Sequence, residues 1–398
     1  MSSLLFLCYL TKVFQNLFIC QGNYGIIRNI EQQEIRLKTK KIGIMTTGGD
    51  CSGLNTVIQR LMDACALRKW HLIGILDGTD GLYSSPAKTI DLNYKDFQFA
   101  NSHLAGSILS NGYSYATNFE SSAKVGKLSA FNNKLKKSLH DLELDALILV
   151  GGNGSLSLAH TYREIYNGLS LVCIPKTIDM DIPKTDKTLG FDTAVQQLTQ
   201  YCDQLLLTAR SHHRWFVVQT MGRDCGQLAL HAGVAVAADA ILIPEIKFDV
   251  DNLVKHIKSS KRDYGIILVS EGISLRGHSG KPADMISRKL TAANIPNRTA
   301  FPEHIQRAGD TVASDRILAA GFVDCALSAI ENNETFVMTS FENGEYKTIS
   351  LDEFFKAGKP QKDPNIPGMM TSNAYVESDN VLLKIATDMG IYIGEKKK

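Results

Sequence analysis

The chain has 398 residues, 44% hydrophobic and 21% charged, and its 43 basic and 41 acidic side chains leave a formal net charge of +2. That length gives room for two or three domains' worth of core. The near-zero balance argues against a general electrostatic hold on nucleic acid or an anionic membrane, so any anion binding has to be local.

Eight cysteines, scattered without a CxxC pair and several inside apolar runs, fit a reduced, cytoplasmic setting. Leu4 to Leu10 is apolar, but it is too short to span a membrane and Lys12 interrupts it. Residues 1–40 are therefore expected to be an N-terminal extension, poorly ordered or unrelated to the fold, with a targeting or docking segment as the alternative. The fold is expected to begin at Lys41. Ile42 to Thr46 reads as a strand, Thr47 to Gly53 as a glycine-rich turn, and Leu54, Val57, Ile58, Leu61, Met62 and Cys65 recur at helical spacing. Strand, glycine-rich loop and helix N-terminus together form a general anion-binding arrangement.

The pattern repeats. Leu72 to Leu76 and Asp145 to Val150 are further apolar runs, ending in Asp77-Gly-Thr-Asp-Gly81 and Gly151-Gly-Asn-Gly-Ser155. A fourth run, Leu171 to Ile174, breaks into the charged stretch Pro175 to Thr193, which carries Lys176, Thr177, Asp179 and Asp181. In open α/β sheets the ligand crevice lies outside the carboxyl ends of the strands, so carboxylates there are candidates for a base and for a metal partner. A second set follows with Arg214 to Gln219, Ala240 to Ile243 and Tyr264 to Val269, each ending in polar residues. The expectation is an α/β protein of two Rossmann-like lobes with mostly parallel sheets and the active site in the cleft between them. Further on, Arg316 to Ile330 reads as a helix, Asn343-Gly344 as the turn of a hairpin, and Val381 to Ile391 as a last helix behind a proline-containing loop.

Taken in order, TTGGDCSG (46–53), GTDGL (78–82), GGNGS (151–155), PKTIDMDIPKTD (175–186), GFDTA (190–194), MGRDCG (221–226), SEG (270–272) and HIQRAG (304–309) resemble the 6-phosphofructokinase family, in particular its bacterial type-A, mixed ATP/pyrophosphate group. The resemblance runs from about Lys41 to the C-terminus. It implies phosphoryl transfer from ATP to the 1-hydroxyl of fructose 6-phosphate, a committed step of glycolysis, with Mg²⁺ as cofactor. It also implies a homodimer or homotetramer with shared active sites. Residues 41–190 plus 306–355 would form the donor lobe, and 191–305 plus 356–398 the fructose 6-phosphate lobe.

Residue by residue, the resemblance implies Asp179 as general base beside Thr177, with Arg223 stabilising the transferring group. Thr177, Ile178, Asp179, Met221, Gly222, Arg223 and Glu271 would line the acceptor sugar. Arg214, Arg298, His304, Ile305, Gln306 and Arg307 would serve its phosphate end, Arg214 and Arg298 reaching a neighbouring subunit's site. Gly48, Gly49, Gly152, Asn153, Gly154 and Ser155 would hold the nucleotide phosphates, and Asp181 and Asn153 the metal. Asn153 stands where the family usually has aspartate, which weakens metal binding because hard Mg²⁺ prefers anionic oxygen. The stretch Gly106 to Tyr113 carries no arginine where the family commonly has a phosphate-bridging one. Gly154 favours ATP, while Lys176 is shared with pyrophosphate users. The alternatives are a pyrophosphate-dependent phosphotransferase and a non-catalytic paralogue that binds sugar phosphate.

Overall fold

The computed structural model describes residues 39–93, 102–112, 128–161, 163–273, 280–358 and 380–394. The chain divides into two compact units, Met1–Thr39 and Lys40–Lys398. The expected N-terminal extension, the loop around Pro360 and Pro364, and Tyr113 lie outside the described residues.

The second unit opens with β1 (Lys41–Thr46), α1 (Leu54–Leu67), β2 (His71–Ile75), α2 (Gly78–Tyr83), β3 (Thr89–Asp91), α3 (Leu128–Asp141), β4 (Ala146–Gly151), α4 (Asn153–Thr161) and β5 (Ser170–Pro175). It continues with α5 (Phe191–Ser211), β6 (Trp215–Thr220), α6 (Gln227–Ala235), β7 (Ala240–Leu242), α7 (Val250–Ser259), β8 (Gly265–Ser270), α8 (Pro282–Ala292) and β9 (Asn297–Ala300). After a 3₁₀ turn at Glu303–Arg307 come α9 (Ala313–Glu331), β10 (Val337–Glu342), β11 (Glu345–Ser350), α10 (Leu351–Ala357) and α11 (Val381–Asp388).

Two sheets result, one in the order β11-β10-β5-β4-β1-β2-β3 and one in the order β7-β8-β6-β9. All pairs are parallel except β2 with β3 and the hairpin of β10 with β11. Their central strands are apolar and buried because helices cover both faces. One apolar cluster spans both sheets, with Ile44, Ile148 and Ile174 of the first joined through Phe191 and Leu198 of α5 to Val218 and Leu268 of the second. Separate clusters fill the outer faces, around Leu147 and Cys173 and around Val217 and Ile267.

Parallel strands all end on the same side, so the loops after β1, β2, β4 and β5 gather at one edge of the large sheet. The strands expected from the sequence are present within a residue or two, as is the hairpin at Asn343-Gly344. Two strands were not expected. β3 is exposed along its length, and β9 is a mostly polar edge strand, so neither carries the apolar run that marks a buried strand. Helix α9 also begins three residues before its expected start, which draws Asp315 into its first turn and into the core, where it is fully buried.

Candidate active site

The loops at the carboxyl edge of the large sheet enclose a cleft of about 1080 Å³. Its floor is the pair of glycine-rich turns after β1 and β4. Thr47 links them, its backbone N–H donating to Val150 O and its hydroxyl to Ser155 Oγ at 2.9 Å. Asn153, Gly154 and Ser155 form the first turn of α4, where unpaired backbone N–H groups favour an anion. A Cβ added at Gly154 would meet nothing within 4 Å, so the space above this turn belongs to the cleft.

Lys176 follows β5 and is 3% exposed. Its Nζ donates to Gly49 O, so the ammonium lies beneath the Gly48–Gly49 turn. Burial, with a smaller contribution from the Arg307 guanidinium, pulls its pKa below the ordinary lysine range.

The base loop is held at both ends. Thr177 N–H donates to Leu189 O, Leu189 N–H to Pro175 O, and the Thr188 hydroxyl to Thr177 O. Next in line, Gly190 takes a φ of +95°, and a Cβ there would stand 2.5 Å from Cys51 Sγ, so only glycine lets this loop return beside the first phosphate turn. Inside the loop, Asp179 N–H donates to Thr177 Oγ1 at 3.1 Å. Asp179 is buried, 8% exposed. Burial pushes its pKa up to about 6, the neighbouring Asp181 adds to the rise, and Arg223, with Nε 3.7 Å from Asp179 Oδ2, opposes it. A carboxylate with a pKa close to neutral suits a proton acceptor.

Asn153 and Asp181 meet, with Asn153 Nδ2 donating to Asp181 O at 2.8 Å and lying 3.5 Å from its Oδ2. Asp181 Oδ1 is buried and has no hydrogen-bond partner. An orphaned, buried carboxylate oxygen fits a hard cation. Among the described residues no three His, Cys, Asp or Glu side chains converge as a metal cage. A site of one or two carboxylates completed by ligand phosphates is the form Mg²⁺ commonly takes.

On the second sheet, Met221, Gly222 and Arg223 follow β6 and Glu271 follows β8. Arg223 sits at φ +52°, an uncommon conformation for a side-chain residue, and its N–H donates to Glu271 Oε1 at 2.8 Å. Gln306, 1% exposed, turns its amide inward, accepting from Met221 N–H at 3.1 Å and donating to Glu303 O at 2.9 Å. It therefore braces the Met221 turn. His304 and Ile305, beside it, are exposed.

Gly48, Gly49, Gly152, Asn153, Gly154, Ser155, Lys176, Thr177, Ile178, Asp179, Asp181, Arg223 and Arg307 all line the cleft. Met221, Gly222, Glu271, His304, Ile305, Gln306, Arg214 and Arg298 do not. Arg214 precedes the first residue of β6, and Arg298 pairs in register with Phe216, so both sit at the amino end of a strand whose carboxyl end carries Met221. A strand of 6 residues spans about 20 Å.

Sequence reasoning missed Asp77, Asp80, Lys88, Ser107, Ser110 and Asn111, which also line the cleft. The GTDGL motif pointed to the neighbourhood of the two aspartates. Lys88 left no such signal, because the antiparallel return of β3 brings it back to Asp77, Nζ to Oδ2 at 3.1 Å.

Residues 41–330 match the family model described as phosphofructokinase. The chain is 33% identical over 378 residues to ATP-dependent 6-phosphofructokinase 1 of Nostoc sp., covering 90% of this chain and 99% of the relative. It is 32% identical over 337 residues to a pyrophosphate–fructose 6-phosphate 1-phosphotransferase of Amycolatopsis mediterranei, covering 79% of this chain and 94% of the relative. Phosphofructokinase from Saccharomyces cerevisiae superimposes with a TM-score of 0.71 at 24% identity, covering 88% of this chain and 48% of the yeast chain. This chain thus spans about half the length of the yeast one. A pyrophosphate-dependent phosphofructokinase from Marinobacter aquaeolei superimposes with a TM-score of 0.69 at 16% identity over 90% of this chain and 93% of that one. These two likenesses speak to the fold.

Proposed function

The chain belongs to the phosphofructokinase family, and on that premise we infer that it transfers the γ-phosphoryl group of ATP to the 1-hydroxyl of fructose 6-phosphate, giving fructose 1,6-bisphosphate and ADP. The observation that carries this reading is Asp179, a buried carboxyl with its pKa raised to about 6, in the same cleft as two glycine-rich turns. Asp179 takes the proton of the sugar hydroxyl and the freed oxygen attacks the γ-phosphorus. The bond from that phosphorus to the β-bridging oxygen breaks, and ADP leaves with the electron pair. Thr177 holds the backbone of the base in place, and Arg223 balances charge on the transferring group. Met221, Gly222, Ile178 and Glu271 line the sugar.

Gly48, Gly49 and the first turn of α4 receive the donor phosphates through backbone N–H groups. Asp181, with Asn153 beside it, would hold Mg²⁺, which supplies charge neutralisation at the donor phosphates.

ATP is favoured over pyrophosphate by the open space above Gly154, which leaves room for an α-phosphate and nucleoside. One observation favours pyrophosphate as a second reading: the Lys176 ammonium lies directly under the Gly48–Gly49 turn. Assay of the purified chain with fructose 6-phosphate, Mg²⁺ and either donor separates the two. Turnover with ATP is expected, and turnover with pyrophosphate alone would reverse the assignment. Activity with neither, alongside sugar-phosphate binding, would support a non-catalytic paralogue.

Arg214 and Arg298, about one strand length from their own cleft, are suited to the 6-phosphate in a neighbouring copy, which supports a homodimer or homotetramer with shared sites. Residues 41–175 and 337–350 supply one sheet and 215–300 the other, which supports a division into a donor lobe and an acceptor lobe. Tyr392 bridges to Ala240 of the acceptor sheet, which supports placing 356–398 in that lobe. No described helix is long and apolar enough to cross a membrane, and a cytoplasmic, glycolytic setting fits the family and the free, mostly buried cysteines.

A further inference from the structure

The turn that carries Arg223 is gripped at three points by side chains from three strand ends of the second sheet. Met221 N–H donates to Gln306 Oε1 at 3.1 Å, Arg223 N–H to Glu271 Oε1 at 2.8 Å, and Gly226 N–H to Glu245 Oε1 at 2.8 Å. Gln306 follows β9, Glu271 follows β8 and Glu245 follows β7. Gln306 and Glu271 belong to the motifs already described. Glu245 belongs to none of them, does not line the cleft, and is 6% exposed.

Gly226 is the N-cap of α6 and has no side chain with which to cap it. The Glu245 carboxyl reaches in from the far side of β8 and takes the N–H of the cap residue, as the acidic residue of a capping box does within one helix. The approach is close, since a Cβ added at Gly226 would stand 2.4 Å from Ile243 Cβ and 2.5 Å from Glu245 Oε2. The carboxyl is costly to keep there. Its Oε2 is buried with no hydrogen-bond partner, and burial pushes its pKa up to about 7.

The turn ahead of the cap is tightly closed. Cys225 N–H donates to Gly222 O at 2.9 Å, and the buried Cys225 thiol lies against the base loop, Sγ 4.0 Å from Met180 O. Within the turn Arg223 holds a φ of +52°, a conformation that persists where the surroundings over-determine the backbone. Its Nε is 3.7 Å from Asp179 Oδ2, and its side chain is 68% exposed. An exposed pair at that range holds weakly. The place of the guanidinium beside Asp179 is therefore set by the backbone that carries it, and Glu245 fixes the α6 end of that backbone.

We propose that Glu245 is the positioning residue of Arg223: by holding the Gly226 N–H it fixes the Met221–Cys225 turn and keeps the guanidinium beside Asp179. This role rests on reading Asp179 and Arg223 as parts of a phosphoryl-transfer site. The charged groups acting on Asp179 are Asp181, Arg223, Glu271, Arg307 and Lys176, and of these only Arg223 sits on the held turn. Arg223 lowers the pKa of Asp179, so a slackened turn lets that pKa rise.

The test is a double-mutant cycle on the full-length protein, read by steady-state kinetics with fructose 6-phosphate, Mg²⁺ and whichever of ATP and pyrophosphate it turns over. Glu245→Ala is expected to lower kcat by about tenfold with the donor KM within about twofold, and to move the acid limb of the kcat–pH profile to higher pH. Glu245→Gln keeps an acceptor oxygen for Gly226 and is expected to recover most of the loss. In an Arg223→Ala background, Glu245→Ala is expected to lower kcat by less than about twofold further, because the residue it positions is gone. An equal loss in both backgrounds, an unmoved acid limb, or an unchanged kcat in Glu245→Ala overturns the proposal. Glu245→Asp, which shortens the reach by a methylene, takes the place of Glu245→Ala in the cycle if that variant folds poorly. If the wild type turns over neither donor, the phosphoryl-transfer reading fails, and the same cycle is read on fructose 6-phosphate affinity by equilibrium titration. A loss of affinity that disappears without Arg223 then supports the positioning role, and an additive loss or none overturns it.

Discussion

Asp179 pays for its chemistry in stability. Its pKa near 6 means that burial and Asp181 oppose the ionised form a base requires. Asp179→Asn removes that charge and keeps the shape. It should lower kcat by about 10²–10⁴-fold and raise stability at pH 7.5 by on the order of 1–3 kcal/mol, read by steady-state kinetics and thermal unfolding. In the wild type kcat should fall as pH drops through about 6, because the base must be ionised. Asn153 allows a second test at this scale. Its amide donates to Asp181 O, so Asn153→Asp would set a carboxylate against a carbonyl and a second carboxylate. The variant should melt at a lower temperature than wild type in EDTA and regain most of the difference on adding Mg²⁺. An Mg²⁺-independent melting temperature would place residue 153 outside the metal shell.

Among the elements, α5 and α9 matter most to the site, because one carboxylate joins them to the base loop. Helix α5 has no side-chain cap of its own at Gly190. Asp315 of α9 supplies the acceptors instead, taking Gly190 N–H at 3.0 Å, Thr193 N–H at 2.8 Å and the Thr193 hydroxyl at 2.6 Å. Through Gly190 it steadies Leu189, and through Leu189 the backbone of Lys176 and Thr177. Asp315→Ala leaves three donors without their acceptor and should cost on the order of 2–4 kcal/mol in denaturant unfolding. It should also lower kcat as the loop carrying Asp179 loosens. Full activity in a destabilised variant would separate the cap from the base loop. The expected helix start at Arg316 hid this arrangement, because periodicity marks the apolar face of a helix and says nothing of a polar residue buried in its first turn. Strands β3 and β9 escaped for a related reason. Edge strands need no continuous apolar run, and their pairing partners are set by the sheet.

For the molecule as a whole, four buried carboxyls have pKa values raised by burial: Asp179 and Asp315 to about 6, Glu245 to about 7, and Asp239 in the same direction. Each binds its proton more tightly folded than unfolded, so the native state holds more protons than the unfolded chain from about pH 4 to pH 7. Stability from these groups is therefore greater at low pH within that window and is lost as pH rises through it. His231, with its pKa lowered by burial, works in the opposite direction below its ordinary value. With four groups against one, the melting temperature should be higher at pH 5.5 than at pH 7.5, while activity runs the other way. A melting temperature that climbs steadily from pH 5.5 to pH 7.5 would show that these carboxyls are not strained in the fold.

By itself, the sequence determined the α/β class, the order of glycine-rich turns, and the placing of Asp179, Asp181, Lys176 and Asn153 at strand ends. Those features are local: apolar runs mark buried strands, glycine marks close backbone approach, and parallel strands send their carboxyl-end loops to one edge. Tertiary structure decided what depends on partners far along the chain. It turned Gln306 inward to brace Met221, brought Lys88 to the cleft through β3, and set Asp315 as the cap of a helix more than a hundred residues earlier. A side chain's direction follows from the packing around it, and that packing is assembled from segments whose encounter no local pattern records.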